Sequence, residues 1–329
     1  MKYLILHAGP HKTASTYIQH NLKINSKILL KNDIKYFSYK ITREEFKKRN
    51  FNFFHKLLNN KYKYNILSDE AFSKKIVLSK YLDPIIKICN ELNRKLIIIY
   101  YVRNQCDLIN SHYCHDIRRF YHTQTFEEYL DDFNLKEIDL CKKFSYIFEM
   151  KDVEIKFIPF IKGNDPFKDF LSVLKINLDL KIESEKVNTQ LGKYGTWIAI
   201  ILHKLLKKHN FFNKDTNKMS FANIIRSIIP QSIKDDKYYG FTKENYLKIQ
   251  NYFYESNKKF SNLVWEKEWT DIFDQTIHDK NIYNGPDNKY EKKNIWKIME
   301  KALKDLKIKS KNIKIIKVEF KNMIVINPQ

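Results

Sequence analysis

The chain has 329 residues, 43% of them hydrophobic and 30% charged, with a net charge of +22. That balance supplies a buried core and excludes a wholly disordered chain, and no apolar run reaches the ~18 residues of a membrane span. The cationic excess, part of it a general abundance of lysine, implies an anionic partner (nucleotide, acidic glycan, membrane surface or nucleic acid) without choosing among them.

Lys2–Ala8 reads as a first β-strand turning at Gly9-Pro10, with too short an apolar stretch for a secretory signal. From Ser15 to Leu30, the apolar residues Ile18, Leu22 and Leu29 fall close to helical spacing, and residues 42–58 also read as helix. Tyr64–Leu67 reads as a short strand that stops at Ser68-Asp69-Glu70, and Ser79–Leu92 as a helix. The strongest strand signal is Lys95–Val102, KLIIIYYV. Its unbroken β-branched and aromatic run suits a strand buried on both faces of a parallel sheet. Helices are predicted over 105–118, 125–131 and 136–149, then a strand at Val153–Phe157 ended by Pro159. The stretch to residue 265 is mostly helical, and its last helix carries Tyr246, Ile249, Phe253, Phe260 and Leu263. The β-α alternation predicts an α/β fold, three-layered α/β/α around a central parallel sheet. Asn284-Gly285-Pro286 breaks the pattern. The predicted domains are 1–265 as the main domain, 266–286 as a linker and 287–329 as a basic appendage of net charge +7. In the appendage a helix is expected over 290–306 and strand-like alternation over 313–326. Cys89, Cys106, Cys114 and Cys141 make no C-x-x-C pair, which argues against a disulfide framework and for the reduced thiols of a cytoplasm.

In an open parallel sheet, ligands bind outside the carboxyl ends of the strands. The first strand ends in Gly9-Pro10-His11-Lys12-Thr13-Ala14-Ser15-Thr16, a strand–loop–helix phosphate cradle. Gly9 admits close backbone approach and the helix N-terminus offers N–H groups. Lys12 adds a point charge, and the hydroxyls of Thr13, Ser15 and Thr16 add donors. The pattern G-x-x-K-T-x-S-T is not a Walker A loop, because no glycine directly precedes the lysine. The plain structural alternative is a capped helix start with Thr13 or Ser15 as N-cap. After the third predicted strand, Arg103 offers a planar fork to phosphate. Ser111 stands two turns into the following helix; the alternative for Arg103 is an ion pair with Asp107. In Ser68-Asp69-Glu70 a carboxylate could take a proton from an attacking hydroxyl: Glu70 first, Asp69 or His11 otherwise. Alternatively Ser68 caps a helix whose start the two acids favour. Gly192-Lys193-Tyr194-Gly195-Thr196-Trp197 puts Lys193 either near a phosphate or in a turn before a helix at 196–208. His112, His115 and His122 complete no carboxylate–histidine metal set.

The segment LHAGPHKTASTYIQ resembles the 5′-phosphosulfate loop of PAPS-dependent sulfotransferases, usually G-x-x-K-T-G-T-T, with Ala14 for a glycine and Ser15 for a threonine. IIIYYVRNQCDLINSHY resembles the family's second motif, in which Arg103 and Ser111 would hold the 3′-phosphate. YNILSDEAF resembles the S-S-E segment of bacterial carbohydrate and heparan-type members, which makes Glu70 the base. Gly192–Trp197 is similar to the late G-x-x-G-x-W loop of cytosolic members, although Leu191 stands where a basic residue is expected. ENYLKIQNYFYESNKKFSNLVW resembles the closing helix of bacterial members, with Asn257 in its usual place. The resemblance covers residues 1–265 and implies a P-loop-like fold with a helical acceptor-side region. It implies in-line transfer of a sulfuryl group from PAPS, leaving PAP, to a hydroxyl or amine of a carbohydrate or surface-glycan precursor, without a metal. Gly9, Pro10, His11, Lys12, Thr13, Ala14, Ser15 and Thr16 would bind the donor, with Lys12 neutralising the leaving phosphate. Arg103, Ser111 and Lys193 would lie at the 3′-phosphate. A cytoplasmic location is expected, with the basic C-terminal region able to touch an anionic membrane such as the inner face, and no nucleic-acid partner. Two rival readings are a Mg-dependent P-loop kinase of a small molecule and a non-enzymatic basic protein that binds nucleic acid or membrane. The second lacks a helix-turn-helix, zinc-finger or RNP-like segment.

Overall fold

The computed structural model describes residues 1–10, 12–183, 191–210, 236–273, 285–286, 288–305 and 310–325. The chain divides into two compact units. The first comprises Met1–Gln105, Asn134–Val187 and Gln250–Thr276; the second comprises Cys106–Phe133, Asn188–Ile249 and Ile277–Gln329.

The first unit is built on five strands: β1 (Lys2–His7), β2 (Ile34–Phe37), β3 (Tyr64–Ser68), β4 (Arg94–Val102) and β5 (Val153–Pro159). All neighbours pair in parallel, in the order β2-β3-β1-β4-β5. The α/β architecture around a parallel sheet is therefore as the alternation predicted. Along β4, Leu96, Ile98, Tyr100 and Val102 join one core while Ile97, Ile99 and Tyr101 join another. A strand apolar on both faces needs helices on both, and that is what the unbroken run encodes.

The helices sort by the direction of each crossover. From β1 the chain moves toward the β2 edge, and the intervening Ile18, Leu22 and Leu29 pack in one core. Every later crossover moves toward β5, and Phe46, Phe54, Leu82, Ile85, Phe144 and Ile147 pack in the opposite core. A single crossover hand demands this segregation. The chain thus leaves β1 toward β2 and leaves its neighbour β4 toward β5. Where connections part in this way, a crevice opens at the carboxyl ends.

Several expectations are corrected. The helix read over 15–30 is two, Ser15–Ile24 and Ser26–Lys31, and that over 42–58 is also two, Tyr39–Lys47 and Phe51–Leu58. Arg49, at φ 57°, separates the second pair. The stretch 136–149 is a 3-10 turn, Leu135–Ile138, followed by the helix Leu140–Phe148. β2 was not foreseen, because four residues show no clear period. Of the strand-like run at 313–326, the described residues 313–325 belong to a helix, Ser310–Val325. There Ile316 and Phe320 are buried at i, i+4 while Ile315 and Val318 are exposed, so helical packing outweighs β-branched content.

In the second unit, the C-terminal helices Lys289–Asp305 and Ser310–Val325 pack beside Lys193–Lys208 rather than standing apart as an appendage. The Tyr194 hydroxyl donates to Glu291 Oε1 at 2.7 Å, Lys208 Nζ to Glu319 Oε2 at 3.0 Å, and the Trp197 and Phe320 rings meet at 6.0 Å.

Candidate functional site

The loop after β1 holds two left-handed non-glycine residues. Lys12 and Ala14 both take positive φ, 71° and 58°. Left-handed backbone at a non-glycine residue costs roughly 1–2 kcal/mol, and alternation of this kind turns successive N–H groups into one concavity. Ala14 (φ 58°, ψ 23°) precedes the helix Ser15–Ile24 and caps it with no side-chain bond. Neither Thr13 nor Ser15 is the cap. Thr13 Oγ1 instead donates to the Pro10 carbonyl at 2.7 Å, which pins the loop and uses the hydroxyl proton expected for a ligand. The first bond inside the helix is Ile18 N to Ala14 O, at 3.0 Å. The N–H groups of Ser15, Thr16 and Tyr17 therefore have no acceptor within the helix. Ser15 is buried and its Oγ has no partner among the described residues; Thr16 is exposed. His11 lies outside the described residues.

Gly9 has a specific steric reason. A β-carbon there would stand 2.7 Å from Ser15 Oγ, 2.8 Å from His7 Nε2 and 3.2 Å from Thr13 Oγ1. His7 faces Ser68 in the β1–β3 register, and its Nδ1 lies 2.7 Å from Ser68 Oγ. Ser68 thus serves β1 and does not cap a helix. Burial pulls the His7 imidazole down to about 4, against the opposing effect of the Glu70 carboxylate. The ring is neutral at pH 7.

Arg103 follows β4 at the same end of the sheet. Its Nη1 donates to the Lys12 carbonyl at 2.9 Å, and its guanidinium lies 5.6 Å from the centre of the Phe160 ring. Two motifs separated by 91 positions are thereby in contact. Gln105 and Asn257 exchange side-chain amide bonds of 2.6 and 3.2 Å, giving Asn257 of the closing helix a defined partner.

The acidic pair at the end of β3 divides its work. Asp69 is fully buried and Arg43 grips both its oxygens, with Nε at 3.1 and 2.9 Å and Nη2 at 2.7 Å. The Ala71 N–H adds a bond of 2.9 Å to Oδ1. These bonds hold Arg43 above its ordinary pKa, and its guanidinium stacks 4.7 Å from Tyr39. Both oxygens of Asp69 are therefore committed to Arg43. Glu70 is half-buried, and its charge reaches both His7 and Arg43. The Asp69 N–H bonds to His7 O at 3.2 Å, and Gln19 Nε2 donates to Ser68 O at 3.0 Å. The Glu70 segment is thus stitched to both the strand and the helix that flank the loop.

Ser111 and Lys193 belong to the second unit. Ser111 is buried on the helix Gln105–Arg118, next to Asn110, which donates to Tyr238 O and accepts from Gly240 N. Lys193 opens the helix Lys193–Lys208, three residues before the predicted start. Its N–H bonds to Asp236 O at 2.8 Å, Gly192 pairs with Lys237, and Lys193 Nζ sits 4.8 Å over the Tyr194 ring. Locally this is the turn-before-a-helix reading. Among the described residues no group of three or more His, Cys, Asp or Glu could hold a metal, and no helix is long and apolar enough to cross a membrane. His112 meets the Phe133 ring and His122 stacks on Tyr129.

His7 and Arg43 are site neighbours that the sequence did not single out. The only local signal for His7 is a polar residue closing an apolar strand beside a glycine. Arg43 reads as one of many cations on an amphipathic helix. The chain matches no protein-family model, no curated protein and no solved structure.

Proposed function

We propose that the protein is a PAPS-dependent sulfotransferase of P-loop-like build, acting on a hydroxyl or amine of a carbohydrate-type acceptor. The observation that carries this reading is the bond from Arg103 to the carbonyl of Lys12, where the connections from β1 and β4 part. It supports one site for the two ends of a bisphosphorylated nucleotide. The loop N–H groups and Ser15 would hold the 5′-phosphate and Arg103 the 3′-phosphate, so that binding energy at the far end positions the sulfur. Ser111 and Lys193 keep their 3′-phosphate assignment on motif alone.

In the step itself, the acceptor oxygen attacks sulfur while the bond from sulfur to the bridging phosphate oxygen breaks. PAP leaves with that electron pair. Lys12 neutralises the charge that develops on it, an electrostatic contribution of the kind that often dominates transfer chemistry. Glu70 takes the acceptor's proton. Asp69, committed to Arg43, supports this choice of base. The acceptor class rests on the S-S-E resemblance.

A thermal-shift comparison tests the reading against a kinase. PAP should raise the melting temperature without a metal, and ATP with Mg²⁺ should not. Stabilisation by ATP-Mg²⁺ alone would overturn the assignment in favour of phosphoryl transfer.

A further inference from the structure

The polar network beneath the loop is complete at one end and open at the other. His7 and Ser15 are 0% and 2% exposed, yet His7 Nε2 and Ser15 Oγ have no hydrogen-bond partner among the described residues. Native interiors rarely leave such atoms unsatisfied without a reason. The two converge: a β-carbon on Gly9 would stand 2.8 Å from the first and 2.7 Å from the second. The absent side chain of Gly9 is what gives them room. The far end is fixed, because Ser68 Oγ lies 2.7 Å from His7 Nδ1 and the Ser68 carbonyl accepts from Gln19 at 3.0 Å. Edge contacts with Tyr101 and Phe170, at 5.5 and 5.6 Å between ring centres, hold the imidazole plane.

We infer that Ser68, His7 and Ser15 form a buried relay of hydrogen-bond donors that ends on the anion held by the loop, which makes His7 a positioning residue of the donor site. The inference rests on the donor-binding reading of that loop. The Ser68 hydroxyl donates to Nδ1, so the ring proton sits on Nε2. Nε2–H then donates to Ser15 Oγ, whose own proton points to a phosphate oxygen. No bond is made or broken, and each donor faces the same way. Chains of this sense polarise one another, so the last O–H binds an anion more strongly than an isolated serine would. An anion held by the loop draws the Ser15 hydroxyl into line and completes the chain.

The test is a long-range ¹H–¹⁵N histidine spectrum of the full chain, with the His7 signal identified by its loss in His7→Gln. The expected result at pH 7 is a neutral ring protonated at Nε2. Saturating PAP should move that proton downfield. By calorimetry, His7→Phe, which keeps the ring packing, should weaken PAP about tenfold, the effect of one lost hydrogen bond to a polarised group. His7→Gln, which retains a donor near the Nε2 position, should recover part of that loss. Ser15→Ala should weaken PAP less in the His7→Phe background than alone. A ring proton on Nδ1 would overturn the relay, as would an Nε2–H signal unmoved by PAP that calorimetry finds bound. If PAP does not bind, the donor reading fails. Inorganic pyrophosphate then replaces it as the probe: a shift of the His7 signal supports the relay, and an unmoved signal overturns it.

Discussion

Two arginines flank β4, one at each end, and they do opposite things. Arg94 opens the strand and is 4% exposed. Its guanidinium donates to the carbonyls of Leu58 at 3.0 Å, Asn60 at 3.0 Å, Tyr62 at 3.1 Å and Tyr3 at 3.5 Å, and to Asn60 Oδ1 at 3.3 Å. Every partner is a neutral oxygen, and burial lowers its pKa. Arg94 ties the 58–62 loop to the start of the sheet. Arg103, just past the strand, is half-buried and grips the carbonyl of Lys12 in a loop with two left-handed residues. Beside that loop, His7 and Ser15 keep buried polar atoms without partners among the described residues. At the amino end of the sheet a charge is enclosed by the protein's own oxygens. At the carboxyl end, two buried polar atoms have no such oxygen among the described residues.

The largest effect should come from truncating each arginine in turn. Arg94→Ala removes the donor from the buried Leu58 carbonyl and from the part-buried carbonyls of Asn60 and Tyr62, and should cost about 3 kcal/mol or more of stability in urea denaturation. PAP affinity of the remaining folded protein should be unchanged. Arg103→Ala should alter stability by less than about 1 kcal/mol. Equal destabilisation by both would break the comparison.

A second expectation concerns acid. The imidazole of His7 titrates near 6.5 in the unfolded chain and about 4 in the folded one. Its contribution is fully present above 6.5 and lost as pH falls through that window toward 4. At 1.36 kcal/mol per unit, the loss amounts to roughly 3 kcal/mol. His7→Gln removes the titration, so its stability should fall less steeply from pH 6.5 to 4 than that of the native chain. Parallel pH profiles would contradict the buried neutral histidine.

The smallest effect probes the loop backbone. Ala14→Gly should stabilise the protein by about 0.5–1 kcal/mol, because glycine adopts positive φ without strain. Ala71 has φ −62° and ψ −22°, so Ala71→Gly should do the reverse. Chemical denaturation of the two variants sharpens the contrast, and a destabilised Ala14→Gly would mean that position 14 is not left-handed.

Much of this end of the molecule was legible in the sequence because its signals are local. The KLIIIYYV run encodes β4, and the polar residues from Gly9 to Thr16 break an apolar strand before a helix. Arg103 is marked by following a strand directly. His7 and Arg43 were not legible, since their roles depend on partners brought close by pairing: Ser68 faces His7 only through the β1–β3 register, and Asp69 follows it. Thr13 was assigned to a ligand because spacing cannot show that Pro10 takes its proton. The C-terminal helix was misread because its β-branched residues mimic alternation, while the neighbours that bury Ile316 and Phe320 lie far away in sequence.

The proposed donor site joins the loop and Arg103 on one bisphosphorylated nucleotide. Calorimetric titration of the full chain with PAP, alongside Lys12→Ala and Arg103→Ala, tests it most directly. Micromolar or tighter binding to the native protein is expected, and at least about tenfold weaker binding to each variant, with both still folded. PAP affinity that is absent, or unchanged in both variants, would contradict it.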